Sequence, residues 1–162
     1  MRGLMFIFIG SFWLLGCATV PHGSADTMPQ LVLEHQRGAC FGPCPIFLLR
    51  AFDDGSATLS LQKVFPEDRG VKLPIGDYQM QASNGHAKSL DSILKKSDRL
   101  DFQNLGGTYD NPMIMDLPSI RTRIRDAEVI DRYKGPGLES LYQAIELFIL
   151  NGDWEIQTIE NQ

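Results

Sequence analysis

The sequence predicts an α+β domain: one antiparallel sheet built from two hairpins, with two helices packed on one face. Three observations lead to this fold class. Short runs of alternating apolar and polar residues, separated by turn signals, are typical of β-strands. Two longer runs repeat apolar residues every three or four positions, as amphipathic helices do. Their order along the chain is hairpin, helix, hairpin, helix.

Four short strands are predicted in the first half of the domain: residues 30–36, 45–52, 56–62 and 78–82. The third strand alternates cleanly and places Ala57, Leu59 and Leu61 on one side. Asp54-Gly55 lies between the second and third strands. Asp-Gly is a strong hairpin signal because both central positions of the tightest turns take positive φ.

The second half is predicted to contain a helix, a long loop, a hairpin and a second helix: residues 86–100, 101–117, 119–133 and 138–150. Leu90, Ile93 and Leu94 give the first helix one apolar face. A hairpin turn at Asp126-Ala127 would place Arg121 opposite Arg132, and like charges in that position are unfavourable. The sequence therefore predicts a strained pair there unless an anion intervenes.

The N-terminus has the pattern of an export signal. The apolar run over residues 4–15 is too short to span a bilayer as a helix, which takes about 20 residues. It ends in Leu14-Leu15-Gly16-Cys17, which resembles a bacterial lipoprotein signal. That resemblance implies a signal peptide over residues 1–16 and a lipid on Cys17. An ordinary signal peptide with a chance cysteine is the alternative.

Residues 17–29 lack periodicity and hold two prolines, which predicts a flexible tether before a single domain over residues 30–162. The sorting rule of lipoproteins depends on the residue after the lipidated cysteine. Ala18 at this position implies the outer membrane, facing the periplasm, if the source is Gram-negative. Otherwise the implied location is the cell membrane.

The size and the net charge of the protein limit the kinds of partner that we expect. Removing residues 1–16 from the 162 leaves 146, the usual size of one domain. The leader carries a single charge, Arg2, so the formal net charge falls from −5 to −6. This acidic balance argues against a nucleic-acid partner, which needs a basic surface. It also means that the lipid must supply the membrane affinity.

The remaining cysteines form a natural pair. With Cys17 lipidated, Cys40 and Cys44 are left, and the oxidising compartment makes a disulfide their default fate. A structural disulfide is the favoured interpretation. A redox-active pair is the first alternative, although such pairs usually sit at a helix N-terminus. A metal site that adds His35 is the second, although a closed zinc site needs four ligands.

The segment Cys40-Phe41-Gly42-Pro43-Cys44-Pro45-Ile46-Phe47 is followed by a strand, an Asp-Gly turn and a strand. It is similar to a family of small bacterial envelope proteins catalogued as a domain of unknown function. The family motif reads Cys-Phe-Gly-x-Cys-Pro-x-Tyr, and Phe47 stands here in place of the tyrosine. The resemblance extends from about residue 30 to about 154. It implies an exported setting and a fold, and it carries no activity.

Five residues are candidates for ligand binding: Tyr109, Asp110, Asp116, Arg121 and Arg123. The two arginines share a predicted sheet face and would suit a small anion, although a solvated face is the plainer interpretation. The tyrosine and the aspartates lie in the long loop, where function often resides. The common catalytic and cofactor motifs do not occur, so no catalytic residue, metal or cofactor is predicted.

These observations favour a lipid-anchored envelope protein that acts as a binding or structural module rather than an enzyme. Its expected partners are the membrane, through the lipid, and an envelope protein or wall component. The alternative function is a thiol-redox or metal-binding role for Cys40 and Cys44.

Overall fold

The computed structural model describes residues 28–67, 73–111, 113–114 and 116–157. The predicted leader, Cys17 and most of the predicted tether lie outside these residues. In chain order the elements are β1 (Leu31–Arg37), β2 (Ile46–Phe52), β3 (Ala57–Lys63), β4 (Gly76–Met80), α1 (Asn84–Arg99), a 3₁₀ helix (Phe102–Asn104), β5 (Gly107–Tyr109), β6 (Ile120–Ile124), β7 (Ala127–Asp131), α2 (Glu139–Leu150) and β8 (Glu155–Ile156).

The strands form one eight-stranded sheet in the order β5-β7-β6-β1-β2-β3-β4-β8. Strands β1 to β4 form a meander, and the β6–β7 hairpin joins it through β6 beside β1. One sheet with two helices was predicted, but its construction from two hairpins was wrong. Strands β5 and β8 extend the edges, and their three and two residues are too short to show a period. The sheet is also mixed, because β5 runs parallel to β7.

A single hydrophobic core lies between the sheet and the two helices. Alternate residues of the central strands, such as Leu33, Leu49 and Leu59, are fully buried against Leu90 of α1 and Ile145 of α2. The intervening residues of the same strands face away from the helices. Both helices therefore cover the same face of the sheet, as predicted.

The first helix begins two residues earlier than its apolar repeat indicates. Ser83 is the N-cap, and its Oγ accepts a hydrogen bond from the His86 amide at 3.1 Å. Lys96 and Arg99 in the last turn complement the helix dipole. No helix within the described part of the chain combines the length and the apolar character needed to cross a membrane.

The helices cross the sheet in opposite directions. The start of α1 touches the β2–β3 turn, and its end reaches the β6–β7 turn through an ion pair between Asp98 and Arg125 at 2.8 Å. In α2, Tyr142 lies beside Asp131 of β7, whereas Gly152, just beyond its end, lies beside Met80 of β4. The two helices thus lie side by side and antiparallel across the strands.

Both predicted hairpins form, with turns that differ from the expected ones. In the first, Gly55 has φ of +84° but Asp54 has no positive φ, so a three-residue turn replaces the two-residue one. In the second, the turn residues are Arg125 and Asp126, with Ile124 opposite Ala127. This register places Arg121 opposite Ile130 rather than Arg132, so the predicted clash of like charges does not occur.

Candidate functional site

The two ends of the sheet differ in their connections. One end, here called the turn end, carries the short β2–β3 and β6–β7 turns. The chain also enters there, since the amide of Gln30 donates to Asp53 at 3.0 Å. The opposite end, here called the loop end, carries the connections over residues 38–45, 110–119 and 132–138. Long loops on a rigid sheet are the usual location of binding residues, so we looked for the site there.

A disulfide closes the first loop at the loop end. Cys40 and Cys44 are bonded, with their Cα atoms 6.1 Å apart, as the cysteine count predicted. Between them Gly42 adopts φ of +138°, a conformation that side-chain-bearing residues rarely take. Pro45 after the disulfide is buried and leads directly into β2. The disulfide therefore holds a tight turn at the start of a central strand.

Hydrogen bonds hold this turn on both sides. Gly38 donates its amide to the carbonyl of Ser119 at 2.8 Å, and Phe41 donates its amide to the carbonyl of Asp116 at 3.3 Å. From β3, the Lys63 ammonium donates to the carbonyl of Gly42. The backbone around residue 41 is thus fixed by one covalent bond and three hydrogen bonds.

The side chain that this turn presents is apolar and open to solvent. Phe41 is 90% exposed and Met113 is 88% exposed, although both are large hydrophobic residues. Leu117, in the same connection as Met113, is also exposed. We call Phe41, Met113 and Leu117 the tip. Rigidly held apolar side chains that are left uncovered are characteristic of interaction surfaces.

A buried polar chain lies behind the tip, between β1, β6, β7 and α2. His35 is fully buried, with Nδ1 2.8 Å from Oγ1 of Thr122 and its ring packed between Phe47 and Tyr142. Tyr142 donates its hydroxyl hydrogen to Asp131 at 3.3 Å. This chain orients the end of the core that supports the loops.

Burial sets the protonation states of the side chains in this buried polar chain. Desolvation, followed by the charge of Arg37, lowers the pKa of His35 to about 3, so the imidazole is neutral at physiological pH. Desolvation and the adjacent Asp131 carboxylate raise the pKa of the Tyr142 hydroxyl. Burial likewise raises the pKa of Asp131, against the opposing effect of the Tyr142 hydrogen bond. The imidazole of His35 is thereby held neutral and the hydroxyl of Tyr142 is held protonated, as a hydrogen-bond donor to Asp131.

Next to the disulfide, Arg37 of β1 forms an ion pair with the buried Glu146 of α2. A cleft of about 160 Å³ opens beside this pair. Its lining comes from the disulfide turn, the end of β3 and α2: Arg37, Pro43, Cys44, Pro45, Phe65, Pro66 and Glu146. The cleft leaves the disulfide partly accessible from one side.

The structure does not bring the five predicted ligand residues into one pocket. Tyr109 donates its hydroxyl hydrogen to the carbonyl of Leu105, and Asp110 lies 3.5 Å from Nε of Arg132. Asp116 is exposed, and its carbonyl anchors the disulfide turn. The first two thus support the sheet edge, whereas the third belongs to the loop that carries the tip.

Arg121 and Arg123 lie on the open face of the sheet, and each pairs with a carboxylate. Arg121 contacts Glu128 through Nε at 2.9 Å and through its terminal nitrogen at 2.7 Å. Arg123 lies 3.5 Å from Glu34, which also binds Arg50 at 2.8 Å. These ion pairs balance much of the positive charge that an anionic ligand would need.

The histidine considered for a metal site is engaged elsewhere, because His35 contacts Thr122 while both cysteines are in the disulfide. Within the residues that the structure describes, no group of three His, Cys, Asp or Glu side chains could hold a metal ion. The disulfide turn therefore offers an apolar surface rather than a coordinating one.

A second cleft lies between α1 and α2, with a volume of about 300 Å³. Its walls are apolar where the helices meet, at Ile93, Ala144 and Phe148, and Leu147 at the rim is 57% exposed. Polar residues complete the lining: His86, Ser89, Ser92, Lys96, Asn151 and Gly152. We call this cleft the helix groove.

Sequence reasoning missed both the tip and the helix groove. A signal for the tip was present, because a phenylalanine between a cysteine and a glycine in a five-residue turn has no core to enter. A signal for the groove was present too, since Leu147 falls outside the inward face of α2. The polar chain gave none, since its four members come from distant parts of the sequence.

Comparison with known proteins identifies a family for the domain but gives no activity. A family model described as "Domain of unknown function (DUF6438)" matches residues 31–149. No curated protein and no solved structure matches the chain. The matched range runs from β1 almost to the end of α2, so it includes the disulfide turn, the tip and most of the helix groove.

Proposed function

The chain belongs to the DUF6438 family of domains of unknown function, and we propose that it is a lipid-anchored envelope protein whose loop end binds a protein partner. The observation that carries this proposal is the exposure of Phe41 on a turn that a disulfide and three hydrogen bonds hold in place. Ordering a phenylalanine in solvent has no benefit to folding, so its use lies in binding.

The position of the N-terminal segment relative to the tip supports the same proposal. Residues 1–27 precede β1, which starts at the turn end, and the tip lies beyond the other end of β1. A lipid on Cys17 would thus join the domain at the end opposite the tip. In that arrangement the tip can face away from the anchoring membrane and toward other envelope components.

The chemistry of the loop end favours a protein partner over a membrane surface. Membrane-docking surfaces combine apolar side chains with several lysines or arginines. Among the residues described in contact with the disulfide turn, the cation Lys63 donates to Gly42, and the exposed side chain beside Phe41 is the acidic Asp116. An aromatic side chain with an acidic neighbour suits an apolar pocket that has a basic rim.

Site-specific photo-crosslinking in cells tests this proposal. A photoreactive phenylalanine analogue replaces Phe41 in the full chain, and a matched chain carries it at Asp54, which is exposed at the turn end. We expect a discrete adduct from position 41 and none of that mass from position 54. Equal adducts from both positions, or none from position 41, would contradict the proposed binding role.

A thiol-redox role of Cys40 and Cys44 is the second candidate. The observation that favours it is the cleft beside the disulfide, which Cys44 lines. A redox-active pair would be reduced by a small dithiol at a concentration that leaves structural disulfides intact. The test treats the native protein with a mild dithiol, alkylates any free thiols and measures the mass. Complete labelling of Cys40 and Cys44 supports the redox role, and no labelling excludes it.

A further inference from the structure

We infer that the partner of the tip is a second copy of this chain, which receives Phe41 in its helix groove. This inference rests on the proposed function, because it names the partner of the same surface. It joins two uncovered features of the molecule, an exposed aromatic side chain and an apolar groove that the described residues leave open.

The groove has the size and lining for an aromatic ring. A buried apolar cavity of about 150 Å³ is enough to hold benzene, and the helix groove has about 300 Å³. Ile93, Ala144 and Phe148 would surround the ring, and Leu147 would close over it. Phe148 also offers an aromatic partner for edge or offset packing.

One pair of charges at the two surfaces is complementary. Asp116 lies beside Phe41 at the tip, where its carbonyl accepts the Phe41 amide, and its carboxylate is exposed. Lys96 places an ammonium group in the lining of the groove. Docking Phe41 in the groove of another copy can bring these opposite charges together at the rim, where they favour the correct orientation.

The positions of the two surfaces require separate copies. The tip lies at the loop end, whereas His86 and Gly152, which line the groove, lie near the β2–β3 turn and β4 at the turn end. A tip therefore cannot enter the groove of its own domain. The contact is therefore heterologous, from the loop end of one copy to the turn end of the other.

The test uses two tagged full-length copies in the same cells. One carries the photoreactive analogue at position 41, and the other is an unmodified receiver. We expect an adduct between the two tags whose crosslink maps to residues 84–99 or 139–152 of the receiver. An adduct that maps elsewhere on the receiver, or its absence, overturns the inference.

Two receiver variants make the test specific. Leu147→Glu should reduce the adduct at least about 30-fold, because it places a carboxylate where an apolar side chain would close over the docked ring. Ile156→Glu is the matched control, since Ile156 is 61% exposed on the edge strand β8, and it should leave the yield unchanged. Both variants should keep the wild-type melting temperature, since both sites are exposed. Equal yields from the two receivers would contradict docking in the groove.

The same experiment separates this inference from the proposed function. An adduct from position 41 with a different protein, and none with the receiver, would overturn the second copy as partner and leave a binding role for the tip. No adduct of either kind would overturn both.

Discussion

Gly55 lies where the β2–β3 turn meets the start of α1, and a side chain has no room there. A Cβ at this position would lie 2.5 Å from the amide nitrogen of Ala87, and φ is +84°. At the other end of the core, His35 is buried as a neutral imidazole beside Thr122. Gly55 links the sheet to α1, and His35 links it to α2 through its ring contact with Tyr142.

Gly55→Ala should lower the free energy of unfolding by about 2 kcal/mol or more, because the substitution adds backbone strain and a steric clash. Urea unfolding measures the change. Gly85→Ala in α1 is the control, since its Cβ would have only an ordinary contact at 3.8 Å. That variant should be as stable as the wild type or up to about 1 kcal/mol more stable. Similar effects of the two substitutions would contradict the close contact at Gly55.

Stability should fall as pH drops below about 6.5. Because the pKa of His35 is about 3 in the folded protein, against 6.5 as its ordinary value, the unfolded chain binds one more proton between these limits. The free energy of unfolding should therefore decrease with falling pH in this window, by at most about 1.4 kcal/mol per pH unit from this residue.

Urea unfolding of the wild type and His35→Gln between pH 7 and 4.5 tests this dependence. Glutamine keeps an amide near Thr122 but does not titrate, so the variant should show the shallower slope. Asp131, whose raised pKa acts in the opposite direction, is common to both proteins. Parallel slopes would show that His35 is protonated in the folded state.

At the scale of elements, the disulfide turn joins two connections of the loop end without adding much to global stability. Closing a loop of about five residues contributes only about 2 kcal/mol through loop-closure entropy. Its hydrogen bonds to Ser119 and Asp116 nevertheless fix the two connections that carry the tip. The turn thus acts on the shape of the loop end more than on the stability of the sheet.

The variant with both Cys40→Ala and Cys44→Ala should therefore stay folded and lose about 2 kcal/mol or less. Its main effect should be local, with faster hydrogen exchange at the Phe41 amide and slow exchange kept in β2 and β3. Lys63→Met is the control, because it removes only the contact to Gly42. Unchanged exchange at Phe41 in the double variant would show that the hydrogen bonds alone hold the turn.

At the scale of the whole molecule, the sheet separates the turn end from the loop end. The short turns, the start of α1 and the entering chain lie at one end, and the disulfide, the tip and the long connections lie at the other. This polarity suits a domain that is fixed to a surface by its N-terminus and meets its partner with the opposite end.

The anchoring itself has a direct test. Cys17→Ser should prevent lipid attachment, so the chain should move from the membrane fraction to the soluble fraction, and the mass of the wild type should include the added lipid. Gly16 and the rest of the leader stay unchanged in this variant. A wild type recovered without lipid would remove the membrane from the proposed function and leave the domain as described.

Particular residues show how much of the fold could be predicted from the sequence. The alternation of Ala57, Leu59 and Leu61 predicted β3, and the repeat of Leu90 and Ile93 predicted α1, because both periods depend on one local geometry. The pairing of Cys40 with Cys44 followed from the cysteine count and the oxidising compartment that the signal implies. The registers of the hairpins could not be predicted in this way, because a turn that shifts by one residue changes every residue pair in the hairpin. The turn type in turn depends on tertiary contacts, such as the contact of Gly55 with Ala87.

The sequence by itself determined the two helices, the longer strands, the disulfide and the acidic charge, because each depends on residues that are near in sequence or on composition alone. Only the tertiary structure decided the order of the eight strands, the carboxylate partners of Arg121 and Arg123, and the burial of His35. It also decided that Phe41 stays uncovered while a groove opens between the helices. These features depend on contacts between distant segments, whose geometry no local pattern specifies.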